Sequence, residues 1–439
     1  MPTDTLTAAA SLFDRPVVVP PAYPQQAAKL GWPDGLVERM LRLRIPTYDV
    51  QHWLDHHADW ERLEKFLDAK ERVMNGTIRV REATWSDAEG VAEMYANSPE
   101  DIGDFEVTVE RSPYPYAQFR LQEHPNIQIV EDRGVVLAAA AHSARNTLIE
   151  GRELSCHIAS AWRVRKECRG QGMTTLMRVY GGPACSWFGL INYWYVRSGN
   201  FGAVDWIKSL RPDIAEAAEK QGGDLPGLQV AVHHFRARNF DGPSTGSGQA
   251  TRGIRKATRT DAARCVPLIN RTHKGQDFFR PYTADFLFER LGDCGWGPKP
   301  DFIEPVYNWN DYYVLEEDGK IVACAGLWDR GKHVREVWRE KATGKTTVIE
   351  PTALLDFGYA RDREDAMARL LGYLIGVTND LGRQELLAPI EQLPKLVQLM
   401  AVYEPVIEPR TLAYDGWDGE GGVEVSVTVR RAYTDLAYW

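Results

Sequence analysis

Apolar positions along the chain change period several times, and each change predicts an element. Between Gly31 and Gly76, Trp32, Leu36, Met40, Leu41 and Leu43, then Trp53, Leu54, Trp60, Leu63 and Phe66, recur at near-helical spacing with a break at Pro46. This predicts a helical N-terminal extension over residues 1–76. A short strand follows at Ile78 to Val80, then a helix with the apolar stripe Val91, Met94 and Tyr95 and an N-cap at Ser86-Asp87. Residues 126–142 and 311–328 each read as a strand, an acidic turn ending in Gly, and a second apolar strand, the pattern of a β-hairpin. Residues 154–164 form an extended apolar run. It passes through Arg169-Gly170-Gln171-Gly172-Met173-Thr174 into a helical face of Met173, Leu176, Met177 and Tyr180.

Two stretches are alike. Arg81-Glu-Ala-Thr84-Trp-Ser-Asp87-Ala88 and Arg255-Lys-Ala-Thr258-Arg-Thr-Asp261-Ala262 both read R-x-A-T-x-[ST]-D-A, and a hairpin pattern follows each. Between them, residues 241–253 (DGPSTGSGQATRG) have the Gly/Ser/Thr-rich composition of a flexible connection. The fold class expected is α/β (mixed α+β), with two diverged copies of one unit in tandem. The extension covers residues 1–76, the first unit 77–241, the linker 242–253 and the second unit 254–439. Two copies account for the pattern better than one large sheet, because their offset is too long for a solenoid repeat.

Composition narrows the function. With 439 residues, 44% apolar and 26% charged, the chain has material for two or three packed domains. Lys plus Arg total 52 against 61 Asp plus Glu, a net charge of -9, the wrong sign for holding phosphate backbones, so no nucleic-acid partner is expected. No stretch approaches the roughly 20 apolar residues of a membrane span, and the first residues lack a basic segment followed by an apolar core. A cytoplasmic protein without a membrane partner is therefore expected. The 6 cysteines form no C-x-x-C pair, which points to neither a disulfide framework nor a zinc site. His52 and His56 are four apart beside Asp55 and Asp59, a spacing that can bind a metal. No Glu sits between the histidines as zincin chemistry requires, so they are read as a solvated helix face and no metal is expected.

The strand, Gly-rich turn and helix around residue 170 have the makings of an anion site. Glycines permit a tight turn and close backbone approach, while a helix start offers unpaired N–H groups and a favourable dipole. No GxxxxGK[ST] occurs, and the dinucleotide fingerprint fails at Thr175. The run Val164-Arg-Lys-Glu-Cys168-Arg169-Gly170-Gln171-Gly172-Met173 resembles the V-x-P-x-[FYW]-R-G-x-G-[IM] signature of the GNAT acyltransferase superfamily. Residues 191–210 resemble that family's next strand and N-x-x-A helix, with Asn200 and Ala203 in the matching places. The resemblance implies two tandem GNAT-like domains and an acyl-CoA co-substrate, most simply acetyl-CoA. It assigns pantetheine and pyrophosphate binding to Arg163, Val164, Arg169, Gly170, Gln171, Gly172, Met173, Thr174 and Asn200. There are two departures. Thr174 stands where Gly or Ala is usual, and Ile207 where a Tyr often protonates the leaving thiolate. In the second unit Arg363-Glu364-Asp365-Ala366-Met367 replaces the loop. Both glycines are gone and the carboxylates would repel a diphosphate, so this unit is expected to serve structure or acceptor recognition.

Acyl transfer from a thioester to an amine needs a base, an oxyanion donor and an acid. The resemblance gives the oxyanion role to backbone N–H near Val164. Base candidates are His157 and Glu153 on the strand before the loop, the histidine being better matched to neutral pH. Acid candidates are Tyr193 and Tyr195, which alternate to one face of the next strand. Each has a packing alternative as a hydrogen-bonded histidine or a core aromatic. Cys156 and Cys168 lack a partner base, which argues against a covalent acyl-enzyme. Glu100, Asp101, Asp104, Glu106 and Glu110 in residues 99–119 read as an acidic roof for a cationic amine, or as a solvated face. Residues 270–283, rich in polar and aromatic groups from His273 to Tyr282, read as a binding surface or as a contact between units. The expected function is acyl-CoA-dependent N-acyltransfer to a small-molecule amine by direct attack, by a monomer or an oligomer. A CoA-binding sensor or interaction protein without turnover, or a GNAT-like acyl-CoA decarboxylase or thioesterase, are the alternatives.

Overall fold

The repeated R-x-A-T-x-[ST]-D-A sequence folds the same way twice in a computed structural model that describes residues 19–45, 47–55, 57–177, 191–197, 200, 228–237, 251–292, 305–416 and 429–438. His56, Ile207, the linker up to residue 250 and the side chain of His52 lie outside these residues. Thr84 with Asp87, and Thr258 with Asp261, form reciprocal capping boxes. Arg81 grips Asp87 through both terminal nitrogens at 2.7 Å and reaches Glu131. Arg255 does the same to Asp261 at 2.7 and 2.9 Å and reaches Glu316 at 2.8 Å. One arginine per unit thus ties the first strand, the helix start and the hairpin together.

The helical extension comprises α1 (Ala22–Lys29), α2 (Leu36–Arg42), α3 (Thr47–Asp55) and α4 (Trp60–Met74). In the first unit β1 (Arg79–Glu82) leads to α5 (Ala88–Ala96), then to the short strands β2 (Glu100–Ile102) and β3 (Phe105–Arg111). The long strands β4 (Asn126–Asp132), β5 (Val135–Ile149) and β6 (Arg152–Val164) follow, with β7 (Ile191–Arg197) and β8 (Leu228–Arg236) after them. The second unit repeats the order with β9 (Ile254–Lys256), α6 (Ala262–Thr272), α7 (Ala284–Leu291), β10 (Tyr312–Glu317) and β11 (Lys320–Trp328). It continues through β12 (Val334–Glu340), β13 (Thr346–Ile349), β14 (Thr352–Tyr359), α8 (Glu364–Asp380), β15 (Glu385–Ala388), α9 (Pro394–Met400) and β16 (Val406–Gly416). Both expected hairpins form. Their two-residue turns, Arg133-Gly134 and Asp318-Gly319, have positive φ at both positions, as the twist of a tight hairpin demands.

The two copies do not close separately. They share one 12-stranded sheet of order β1-β4-β5-β6-β7-β16-β8-β15-β14-β11-β10-β9. The last strand of each unit is exchanged, so that β16 pairs with β7 of the first unit while β8 pairs with β15 of the second. The sequence expectation of two units held, but that of two sheets did not. A second sheet, β13-β12-β3-β2, pairs residues 105–111 of the first unit with residues 334–340 of the second.

Strand alternation divides the apolar side chains of the first unit. Val130, Ala138 and Ala140 pack under the helical extension with Leu63, Phe66, Met173, Leu176 and Met177. Ile127, Ile129, Ala139 and Ala141 pack on the opposite face against Val91, Met94 and Tyr95 of α5. Residues 429–438 run into the centre of the molecule, where Ala432, Leu436 and Ala437 are buried. Gln118 and Gln122 donate to the Ala437 carbonyl at 3.3 and 2.9 Å.

Candidate active site

Strands β6 and β7 run parallel and pair at Cys156 with Ile191, His157 with Asn192 and Ile158 with Tyr193. Beyond Ile158 that edge of β6 has no strand partner among the described residues, whereas its other edge stays paired with β5 as far as Val164. The register slips between Ala139 and Ala141, and opposite the slip Ala161 takes φ 52, a bulge. Tyr95 of α5 donates its hydroxyl to the Ala161 carbonyl at 2.5 Å. Among the described residues the two parallel strands thus part beyond Ile158, leaving β6 with a strand partner on one edge alone, a place where an extended polar chain can bind as a strand would.

The loop after β6 turns through Gly170 at φ 72 and Gly172 at φ 75. The two glycines do different jobs. A Cβ on Gly170 would meet nothing within 4 Å, whereas one on Gly172 would lie 2.4 Å from Phe66 Cα and 2.7 Å from Lys65 O. Gly172 is therefore required by the backbone of α4, and the helical extension forms one wall of the loop. Gln171 donates to the Glu167 carbonyl at 2.8 Å and Arg169 to the Pro99 carbonyl. Met173 is a core residue and Thr174 is half-buried. Arg163 and Asn200 come together through Glu100, the arginine at 2.7 Å and the amide at 3.0 Å from one carboxylate oxygen.

His157 is buried, four residues before the bulge, with Nε2 3.1 Å from Nδ1 of His142 and the two rings stacked. Burial, followed by the neighbouring ring of His157, pushes His142 down to about 3. Sequence reasoning passed over His142. The hairpin register brings it opposite Ala159 and diagonal to His157, a juxtaposition available only once the turn is fixed. Tyr193 stands opposite Ile158 and so on the other face from His157. Its hydroxyl accepts from Arg145 at 2.9 and 3.1 Å, and its ring packs on Phe278. Tyr195 donates to the Tyr433 carbonyl at 3.0 Å, and burial holds its hydroxyl well above the usual range. Glu153 is exposed at the opposite end of β6, bonded to Asn146 at 3.1 Å. The structure thus brings neither Glu153 nor the two tyrosines to the bulge. Burial also pushes the Cys156 thiol up to about 11, the state of an inert core thiol.

The expected acidic roof is a β-hairpin, and three of its carboxylates are engaged in ion pairs. Glu100 meets Arg163, Asp101 meets Lys341 at 3.0 Å and Glu110 meets Arg335. Residues 270–283 are a contact between units: Asp277 accepts from the backbone N–H of Glu150 and Arg430, and Arg280 pairs with Glu123.

The second unit repeats the bulge. Its register slips between Cys324 and Gly326, and Asp356 takes φ 48. Asp356 is buried and accepts from Tyr282 at 2.6 Å and Tyr307 at 3.0 Å, with Arg290 Nε at 2.6 Å. Arg290 also holds Asp435, which lies 3.6 Å from Arg145. The loop counterpart is closed by Arg363 on Asp365 at 3.0 Å and Glu317 at 2.7 Å.

No family model and no curated protein matches the chain. Solved structures do. N-myristoyltransferase of Saccharomyces cerevisiae with bound myristoyl-CoA is similar at a TM-score of 0.51 and 11% identity, covering 77% of this chain and 79% of that one. The same enzyme with bound myristoyl-CoA and inhibitors is similar at a TM-score of 0.50 and 12% identity over 77% and 80%. At such identity the likeness shows the fold, a mixed α/β architecture of the GNAT-like kind.

Proposed function

We propose that the first unit binds an acyl-CoA, most simply acetyl-CoA, and transfers its acyl group to the amine of a small molecule by direct attack. The observation that carries this reading is the parting of β6 and β7 beside the Ala161 bulge, followed at once by the Arg169-Gly170-Gln171-Gly172 turn. In the proposal the unpaired edge of β6 takes the amide-bearing arm of the CoA, backbone N–H near Val164 faces the thioester oxygen, and the open side of Gly170 faces the pyrophosphate. His157, oriented by His142, accepts the ammonium proton. The amine nitrogen then bonds the acyl carbon as the carbon–sulfur bond breaks, the thiolate leaves, and the nitrogen sheds its second proton to water. Because the hydroxyls of Tyr193 and Tyr195 are committed elsewhere, protonation of that thiolate falls to water.

Gly170 is the position that tests the loop, since a change at Gly172 would act through α4 instead. Calorimetric titration of acetyl-CoA should show one site in the wild type, affinity at least tenfold lower in Gly170→Asp, and no change in Asp365→Gly. Absence of binding to the wild type, or equal binding to Gly170→Asp, would end this reading.

A further inference from the structure

Acyl transfer in the first unit needs a donor on the open edge of β6, and the backbone fixes which N–H can serve. The N–H of Arg165 is spent on the Leu137 carbonyl, at the start of β5, at 2.9 Å. Donors alternate along a strand, so the N–H of Val164 points to the other edge, which beyond Ile158 has no strand partner among the described residues. The bulge sets the phase of that alternation. Three steps from Ser160 to Arg163 oppose two steps from Ala141 to Ala139. Without the extra residue the strand would slip by one position, and the Val164 N–H would turn to β5 instead.

Tyr95 holds the bulge. Ala161 keeps a φ of 52, which an L-residue adopts at a cost, and its carbonyl takes the Tyr95 hydroxyl at 2.5 Å. Tyr95 is buried, and that burial raises its hydroxyl above the usual range, so it stays a donor. The ring is held in its turn. The Arg111 guanidinium lies 4.6 Å from the Tyr95 ring centre and 4.8 Å from that of Phe119, and it donates to Gln118 at 3.1 Å. Burial pushes Arg111 down to about 10, which leaves it charged at neutral pH. Arg111 ends β3 and stands opposite Val334 of β12, so the second unit seats this clamp. Contacts thus run from β12 through Arg111 and Tyr95 to the backbone beside the open edge.

The second unit contains a natural control. Tyr312 donates to the Asp356 carbonyl at 2.6 Å, the same bond at the matching bulge, but there the Asp356 side chain is taken up by Tyr282, Tyr307 and Arg290. Tyr312 therefore holds backbone away from the first unit's open edge. We infer that Tyr95 is a positioning residue for acyl transfer: it fixes the bulge so that the Val164 N–H faces the thioester oxygen, and the second unit supports it through Arg111. The inference rests on the acyltransferase reading above, and it gives the filled unit a task that needs no ligand.

The test reads the carbonyl stretch of acetyl-CoA, isotope-labelled at the acetyl carbonyl and bound to the full chain, by infrared difference spectroscopy. A hydrogen bond to the thioester oxygen lowers that frequency. Calorimetry on the same samples gives the affinity. The wild type should show a lowered stretch. Tyr95→Phe should lose at least half of the lowering and Arg111→Met a smaller share, while both bind acetyl-CoA within about fivefold of the wild type. Tyr312→Phe should keep all of it, although it removes the same kind of bond. Should Tyr95→Phe not fold, Arg111→Met against Tyr312→Phe decides. No lowering in the wild type, a lowering that survives in the folded variants at residues 95 and 111, an equal loss in Tyr312→Phe, or binding abolished by Tyr95→Phe would overturn the inference and leave the cofactor reading standing. Failure of acetyl-CoA to bind to the wild type would overturn both.

Discussion

The bulges at Ala161 and Asp356 have the same backbone and different chemistry. Each sits opposite a register slip, takes a positive φ and has a carbonyl that accepts a tyrosine hydroxyl, from Tyr95 on α5 in one case and Tyr312 on β10 in the other. At the first bulge a methyl group leaves space, the neighbouring strand diverges and the following turn carries two glycines. At the second, a carboxylate recruits Tyr282, Tyr307 and Arg290, and Gly358 admits the backbone of α6 to within 2.4 Å of where a Cβ would stand. A duplicated scaffold can therefore keep its strained backbone in both copies while one copy is filled. The strain is of the order of 1 kcal/mol per residue, and a tyrosine suffices to hold it.

The comparison can be broken most forcefully at Asp356. Removing one partner from a buried ion-pair network leaves an uncompensated charge, so Asp356→Ala should lower stability by about 3–5 kcal/mol in urea unfolding. Ala161→Gly, which relaxes the positive φ without touching a charge, should change it by less than about 1 kcal/mol. Equal effects would mean that the network does not fix the second bulge.

Two histidine sites sharpen the contrast through pH. His234 on β8 lies between the carboxylates of Glu385 and Glu408, which outweigh its burial and raise it to about 9. Its contribution is therefore complete below the unfolded value near 6.5 and is lost as pH rises through about 9. His142 is depressed to about 3, so its contribution is present above about 6.5 and disappears as pH falls toward 3. Over these windows the first is worth on the order of 3 kcal/mol and the second on the order of 5 kcal/mol. In urea titrations across pH, His234→Gln should flatten the alkaline limb of the stability curve and His142→Gln the acid limb. A variant that leaves its limb unchanged removes that site from the account.

The smallest effect checks what the units still share. Thr84→Ala and Thr258→Ala each delete one half of a capping box and should each cost about 1 kcal/mol, agreeing within about 0.5 kcal/mol. A marked inequality would show that the repeated caps have diverged in function as well as in sequence.

Local features were legible in the sequence because local physics sets them. The capping boxes follow from Thr and Asp three apart, and the hairpins from Arg133-Gly134 and Asp318-Gly319. The strand exchange was not legible, since nothing in the pattern of β8 or β16 records which edge it will join. The acidic run at residues 100–110 looked solvated or receptive because its partners are distant in sequence, Arg335 lying 225 residues from Glu110. Gly172 was read as an approach for a ligand, but the sequence cannot say whether a missing side chain admits a ligand or a helix. Asp356 sits in an apolar strand where only the tertiary structure reveals its three partners.

The exchanged strands also govern how the molecule comes into being. The ion pair between Arg197 on β7 and Glu408 on β16 joins residues 211 positions apart. At a synthesis rate of about 5–20 residues per second, an emerging β7 waits roughly 10–40 seconds for its neighbour. Neither half can finish its sheet alone, so cutting the gene at the linker should yield two aggregation-prone fragments with open edges. The same mutual dependence keeps the filled copy in the chain: once each unit lends its last strand to the other, losing the second would unmake the first.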